Sequence, residues 1–214
     1  MPGKHQGNTE VKPAWIECEA LPAHPDFRSL LSIAGIAIDL RYATPDNFVG
    51  RPLYGGLDCN FLRREAAAGL EAAVAWLAHK RPGYQLLVLD ALRPQSVQET
   101  LFAELAGTPL ELYLAHPERG SIHSFGMAVD ATLLDPQGRE CDMGTPFDDM
   151  SALSHPEFEA QHLAQGFLSA AQLSHRGWLR AAMLQAGFHA ITTEWWHFDF
   201  GDRATVRRDL PRVL

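Results

Sequence analysis

The stretch SIHSFGMAVDATLLDPQG, residues 121–138, decides the fold class. From residue 126 to 134 it alternates with period two. Met127, Val129 and Ala131 fall on one face, and Ala128, Asp130, Thr132 and Leu134 on the other, which is a strand pattern. DPQG then supplies a turn toward a hairpin partner. Working outward, residues 33–40 (IAGIAIDL) and 84–89 (YQLLVL) are short apolar runs of strand type, and HAITTEWWHFDFG at 189–201 is rich in β-branched and aromatic residues. Helices are expected over RREAAAGLEAAVAWLAHK (63–80, capped by Asn60 and stopped by Pro82-Gly83), over 95–107 behind Pro94, and within 174–185. This order has no regular βαβ repeat, so the reading is an α+β domain built on an antiparallel sheet flanked by helices.

The chain has 214 residues, 46% of them hydrophobic, which suits one globular domain over residues 27–214. Residues 1–26, with six prolines and glycines and little periodicity, read as an extended N-terminal arm. A core of this size buries roughly 70% of the unfolded surface and needs no structural metal. Any metal is therefore expected to be functional. Eighteen basic against 26 acidic residues give a net charge of -8, which argues against nucleic acid or an anionic membrane as partner and for a small-molecule substrate. Cys18, Cys59 and Cys141 form no C-x-x-C pair and read as reduced thiols. With no signal-type h-region and no long apolar run, a cytoplasmic location is expected.

Ten histidines are many for this length. His5, His24, His79, His116, His162, His175 and His189 have no polar constellation in the sequence around them and read as background, and His155 is left open. His123 and Asp130 differ, because a glycine-containing turn at 124–126 feeds from one into an apolar strand bearing the other. A carboxylate taken out of water needs a partner or a cation. The same holds for Glu194 and His197 in EWWH, set among Trp195, Trp196, Phe198 and Phe200. His123, Asp130 and His197 make the two-imidazole, one-carboxylate set of a catalytic zinc site with an open position for water, and Glu194 is the candidate proton shuttle. A structural Glu194–His197 ion pair is the competing reading, and a two-histidine, one-carboxylate iron oxygenase uses the same ligands. Glu194 beside the site favours hydrolysis. On regular strands 194 and 197 point to opposite faces, as do 123 and 130, so an irregularity or a strand end is expected within each pair.

SIHSFGMAVD followed by EWWH resembles the D-alanyl-D-alanine dipeptidases of the VanX type, among the zinc peptidases that also include D,D-carboxypeptidases. DLRYATPDNFVG (39–50), DALRP (90–94) and MGTPFDDM (143–150) agree with that family, and together the motifs span about residues 28–201. The resemblance implies the zinc D,D-peptidase (VanX/hedgehog-like) fold, with one Zn2+ per chain held by His123, Asp130 and His197. It implies Glu194 as general base and acid, and Arg93 facing the scissile carbonyl, where a permanent charge stabilises an oxyanion. Asp148, or Asp149 if the register slips by one, would receive the substrate ammonium. Ser121 and Tyr42 would hydrogen-bond the dipeptide, and one departure from the family is at RPLYGG, where the tyrosine is Tyr54 and its match to the family's pocket tyrosine is left open. The activity implied is hydrolysis of free D-alanyl-D-alanine to two D-alanines, in cell-wall precursor metabolism or glycopeptide resistance. The alternative is a D,D-carboxypeptidase acting on longer peptidoglycan peptides.

Overall fold

The computed structural model describes residues 15–214, so residues 1–14 of the expected arm lie outside the described residues. In chain order its strands and helices are β1 (Trp15–Ile16), β2 (Phe27–Ser29), β3 (Ile36–Ile38), β4 (Phe61–Arg63), α1 (Arg64–Lys80), β5 (Gln85–Asp90), α2 (Gln95–Leu105) and β6 (Ala128–Leu134). Then follow α3 (Glu159–Ala164), α4 (Ala170–Gln185), β7 (Phe188–Ala190), β8 (His197–Phe200), α5 (Arg203–Asp209) and β9 (Arg212–Val213). No helix among the described residues is long and apolar enough to cross a membrane.

The main sheet has five strands in the order β3-β5-β6-β8-β7. Its β5-β6, β6-β8 and β8-β7 pairs are antiparallel, as the α+β reading requires, while the edge pair β3-β5 is parallel. That exception follows from connectivity. A parallel return needs a crossover, and the chain between β3 and β5 supplies one containing α1. The register of the three central strands sets up the site. Asp130 on β6 pairs with His197 on β8, and a register shift on β5 between Val88 and Asp90 brings Asp90 opposite Asp130 on the other side. Side chains opposite one another on adjacent strands stand about 5 Å apart, so three ionisable groups are lined up across the sheet.

α1 buries Ala66, Ala67, Leu70, Ala73 and Leu77, the i, i+3, i+4 stripe that its apolar spacing announces, and packs on β5 and α4. A Cβ on Gly69 would stand 2.5 Å from Phe200 Cε2, so the helix approaches the sheet where there is no side chain. Several local expectations need correction. Asn60 does not cap α1: the short strand β4 intervenes to pair with β2, and the N-cap position falls on Arg63, which makes no side-chain cap bond. α4 begins earlier than expected, at Ala170, behind a capping box of Ser169 and Gln172. The DPQG turn forms, but it leads only to a single bridge between Leu134 and Glu140; β5 pairs with one edge of β6 over residues 130–134 and β8 with the other over residues 128–130. The strand expected over 33–40 shortens to Ile36–Ile38.

Of the expected arm, the described part is packed. β1 runs beside β9, and Ile16, Cys18 and Leu21 join Phe27, Phe61, Leu92 and Val213 in a second, smaller core. Cys18, Cys59 and Cys141 are all buried and free.

The turn that opens β6 depends on Gly126. Its φ of 68° and ψ of 28° are left-handed, its N–H donates to His123 O at 2.9 Å, and its carbonyl accepts from Arg63 N at 2.9 Å. A Cβ there would meet Phe27 Cε1 at 2.8 Å and the backbone N of Arg63 at 3.2 Å. Left-handed strain of about 1–2 kcal/mol adds to an overpacking cost of about 1–3 kcal/mol. Gly126→Ala is therefore expected to lower the thermal midpoint by at least about 4 °C in a calorimetric or circular-dichroism melt. An unchanged midpoint would show that the turn relaxes freely.

Candidate active site

His123 lies in the 3-10 turn Ile122–Phe125, Asp130 near the start of β6, and His197 at the first position of β8. Their facing atoms form a close triangle. His123 Nε2 is 3.1 Å from His197 Nδ1, His197 Nδ1 is 2.9 Å from Asp130 Oδ1, and Asp130 Oδ1 is 3.3 Å from His123 Nε2. Four ligands held tetrahedrally at about 2.0 Å stand about 3.3 Å apart, so these spacings fit a zinc-sized ion. The outer ring nitrogens are committed elsewhere. His123 Nδ1 donates to Ala91 O at 2.7 Å, and His197 Nε2 donates to Asp199 Oδ1 at 2.9 Å. In the neutral rings those bonds keep the proton on the outer nitrogen and leave a lone pair on each facing one. Burial by itself would lower the His197 pKa, but the Asp199 and Asp130 carboxylates outweigh it and raise it well above the usual value. Asp130 shows the converse: burial works to raise its pKa, and the two imidazoles hold it far below the carboxylate range. Among the described residues this trio is the one cluster of His, Cys, Asp and Glu with metal-holding geometry.

Arg93 follows β5 and is braced on several sides. Its Nε donates to Asp90 Oδ2 at 2.9 Å, one Nη contacts Asp90 at 2.7 Å and Asp130 at 3.3 Å, and the other donates to Gln98 Oε1 at 3.2 Å. Its guanidinium carbon lies 4.8 Å from the centre of the Tyr42 ring. Asp90 is held in turn by the Ala91 N–H and the Tyr54 hydroxyl. Tyr54 thus stands behind Arg93 and is not among the cavity-lining residues, which answers the question left open from the sequence. Arg93 thus pairs with Asp90, and the same guanidinium faces the cavity.

Glu194 lies in the bend between β7 and β8, so it does not share a regular strand with His197, and the face conflict in EWWH disappears. Gly126 resolves the corresponding conflict between 123 and 130. Glu194 Oε2 is 4.0 Å from His197 Nδ1. Its carboxyl is pushed up to about 6, mostly by burial and against the pull of His197. A carboxyl titrating near neutrality beside such a donor set can accept and return protons at working pH.

Asp148 has a φ of 63°, the only positive value among the described non-glycine residues. Its Oδ1 accepts from the Tyr42 hydroxyl at 3.0 Å, while Oδ2 is shut off from water with no hydrogen-bond partner. Desolvation raises its pKa well above the usual value. The segment that carries it is anchored at both ends by the fully buried Arg176 of α4, which donates to Met143 O at 2.7 Å and to Leu153 O at 3.2 Å. Trp195 Nε1 adds a bond to Thr145 Oγ1 at 2.8 Å and so ties EWWH to the same segment. Asp149 turns away from the cavity and accepts from Ser151 N.

Tyr42, Arg93, Ser121, His123, Asp130, Asp148, Glu194 and His197 line a single cavity of about 400 Å³. The sequence reading did not single out Asp199, Tyr113, Arg119, Arg203 or Arg207, which line it too. Asp199 carried a legible signal, since it sits two residues after His197 on an apolar strand and so shares its face. His155, left open from sequence, is at the cavity wall with Nε2 2.9 Å from the Tyr113 hydroxyl.

The peptidase family described as D-ala-D-ala dipeptidase matches residues 27–213. The D-alanyl-D-alanine dipeptidase of Escherichia coli (strain K12) is 35% identical over 170 residues, which is 79% of this chain and 81% of that protein. Those of Enterococcus faecalis (strain ATCC 700802 / V583) and Enterococcus faecium are 33% and 34% identical over 78% and 79% of this chain, and over 87% and 88% of their own lengths. Among solved structures, the LdcB LD-carboxypeptidase superposes with a TM-score of 0.45 at 16% identity, over 88% of this chain and 75% of that one. A match across nearly the whole described chain, with relatives above 30% identity over most of their length, means that the protein belongs to the D-ala-D-ala dipeptidase family of peptidases.

Proposed function

We propose that this chain hydrolyses the free dipeptide D-alanyl-D-alanine to two D-alanines, using one zinc ion held by His123, Asp130 and His197. One observation carries the reading: a donor triangle of metal-site dimensions shares its cavity with Asp148, whose buried Oδ2 has no partner. A buried carboxylate oxygen left unpaired is costly, and a substrate ammonium would satisfy it. When bound, zinc would supply a polarised water and a Lewis acid for the scissile carbonyl. Glu194 takes the proton from the attacking water and gives it to the departing amine. Arg93 donates three hydrogen bonds, to Asp90, Asp130 and Gln98, which hold its charge in place for the developing oxyanion. Asp148 and the Tyr42 hydroxyl hold the ammonium end, and Ser121 supplies a further polar contact near the donor triangle.

The ammonium subsite separates this reading from a D,D-carboxypeptidase. A longer peptide would set an uncharged amide against Asp148 and leave the carboxylate unpaired. Glu194 beside the donors and the family relationship favour hydrolysis over an iron oxygenase. A cytoplasmic site of action fits the three buried free cysteines.

Elemental analysis is expected to find about one zinc per chain in the wild type, and little in His123→Ala or Asp130→Ala, because three protein ligands leave no redundancy. Glu194→Gln is expected to keep its zinc and melting temperature but to lose about 10²- to 10⁴-fold in kcat. Near-normal turnover would remove Glu194 from the chemistry.

The base works only when ionised, so activity is lost as pH falls through the Glu194 pKa. A cation at the donor triangle can only lower that pKa, so the acid limb of kcat/KM is expected at or below about pH 6. A limb well above that value would point to another base.

Acetylating the substrate amine removes the charge that Asp148 would receive, at a cost of about 2–5 kcal/mol, or roughly 30-fold to several thousandfold in kcat/KM. Asp148→Ala is expected to erase most of that preference for the free dipeptide. Equal cleavage of N-acetyl-D-alanyl-D-alanine by the wild type would favour the carboxypeptidase.

A further inference from the structure

The cavity has a strongly basic wall that the proposed chemistry does not use. Arg203 and Arg207 lie one turn apart on α5, and Arg119 sits in the turn just before Ser121, all three lining the cavity. Arg207 Nε donates to Gly120 O at 3.2 Å, which ties α5 to that turn. Like charges at i, i+4 cost stability, and here they gather in a chain of net charge -8. Arg203 has Asp199 at 2.5 Å, but Asp199 already accepts from His197. Arg119 and Arg207 pair with no carboxylate within 4.0 Å among the described residues. Burial, with Arg119 and Arg203 adding to it, pushes the Arg207 pKa below its ordinary value, as expected for a guanidinium short of counter-charge.

Contacts between neighbouring side chains form a path through the cavity. Asp148 bonds Tyr42 at 3.0 Å, Tyr42 lies under Arg93, Arg93 reaches Asp130 at 3.3 Å, Asp130 reaches His197 at 2.9 Å, His197 reaches Asp199 at 2.9 Å, and Asp199 reaches Arg203. Along this path Asp148 joins the donor triangle through Tyr42 and Arg93, and Arg203 joins it through Asp199, with Arg207 one turn further on α5 and tied to the turn that carries Arg119. A free dipeptide has an ammonium at one end, the scissile amide in the middle and a carboxylate at the other. Arg93 is already committed, with hydrogen bonds to Asp90, Gln98 and Asp130 and a place at the scissile carbonyl in the reading above, so the carboxylate needs another cation.

We infer that Arg119 and Arg207, with Arg203 beside them, form the subsite for the free α-carboxylate on the leaving-group side of the substrate. This rests on the dipeptidase reading. It makes the cavity a two-ended gauge, with charge read at each terminus of the peptide.

The test compares kcat/KM for D-alanyl-D-alanine and D-alanyl-D-alaninamide, which differ only in that carboxylate. Zinc-loaded wild type is run beside Arg119→Gln, Arg207→Gln and the double variant, with melting temperature and zinc content checked for each. Arg203 is left intact because it also braces Asp199. Wild type is expected to prefer the acid by about ten- to a hundredfold, the range for hydrogen bonds to a charged group. In the double variant the acid-to-amide ratio is expected to collapse toward one, chiefly through KM of the acid, and Arg207→Lys is expected to restore part of it. Wild type cleaving acid and amide equally would overturn the subsite with no variant needed, as would an unchanged ratio in the folded double variant. Wild type cleaving neither substrate would overturn the dipeptidase reading, and the subsite with it.

Discussion

The buried carboxylate of Asp130 is the constraint on which the rest of the site depends. It is 2% exposed in the middle of the sheet, and an isolated charge there would be prohibitive. His123, His197 and Arg93 all touch it, and each is delivered by a different piece of backbone. The strand register brings His197 directly opposite, the left-handed turn at Gly126 folds His123 back over the strand, and the shift on β5 leaves room for Asp90 and Arg93. Remove any one partner and the carboxylate is under-compensated. Fold stability and the competence of the site are therefore linked through the same side chain.

A second layer holds these partners. Asp199 and the Ala91 carbonyl set the two ring tautomers, and Asp90, Gln98 and the Tyr42 ring fix the Arg93 guanidinium. Preorganised charges cost nothing to reorient at the moment of reaction, which is where an enzyme gains most from them. The chemistry is concentrated at the ends of β5, β6 and β8 and in the segments beyond them, while α1 and α4 supply the apolar backing.

Not every group in the cavity is at rest. Asp148 adopts a left-handed backbone with one carboxylate oxygen unpaired, and the arginines of α5 and the turn at 119 repel one another. Such local costs persist only where the surroundings over-determine them, and here Arg176 clamps both ends of the segment bearing Asp148. The same cavity therefore holds a desolvated acidic group and a cluster of guanidinium groups.

The sequence by itself singled out residues that the structure gathers at one cavity. His123, Asp130, Glu194 and His197 were legible because ionisable side chains interrupt apolar strand patterns, and burial makes such interruptions expensive unless they are used. Helix α1, strand β6 and the α+β class were legible for a related reason: periodicity of 3.6 or 2 records which face is buried. Tertiary structure alone decided the rest. Asn60 lost the cap of α1 because β4 found a partner 34 residues earlier in Phe27–Ser29, and the DPQG turn gained one bridge while β8, more than 60 residues away in sequence, took residues 128–130 of β6. Tyr54 moved behind Arg93, and the arginines of α5 converged with Arg119 across some 85 residues of chain. Local pattern encodes which groups must be shielded from water, but which distant groups do the shielding depends on strand register and helix docking, and these are set by packing between segments that no local window of sequence contains.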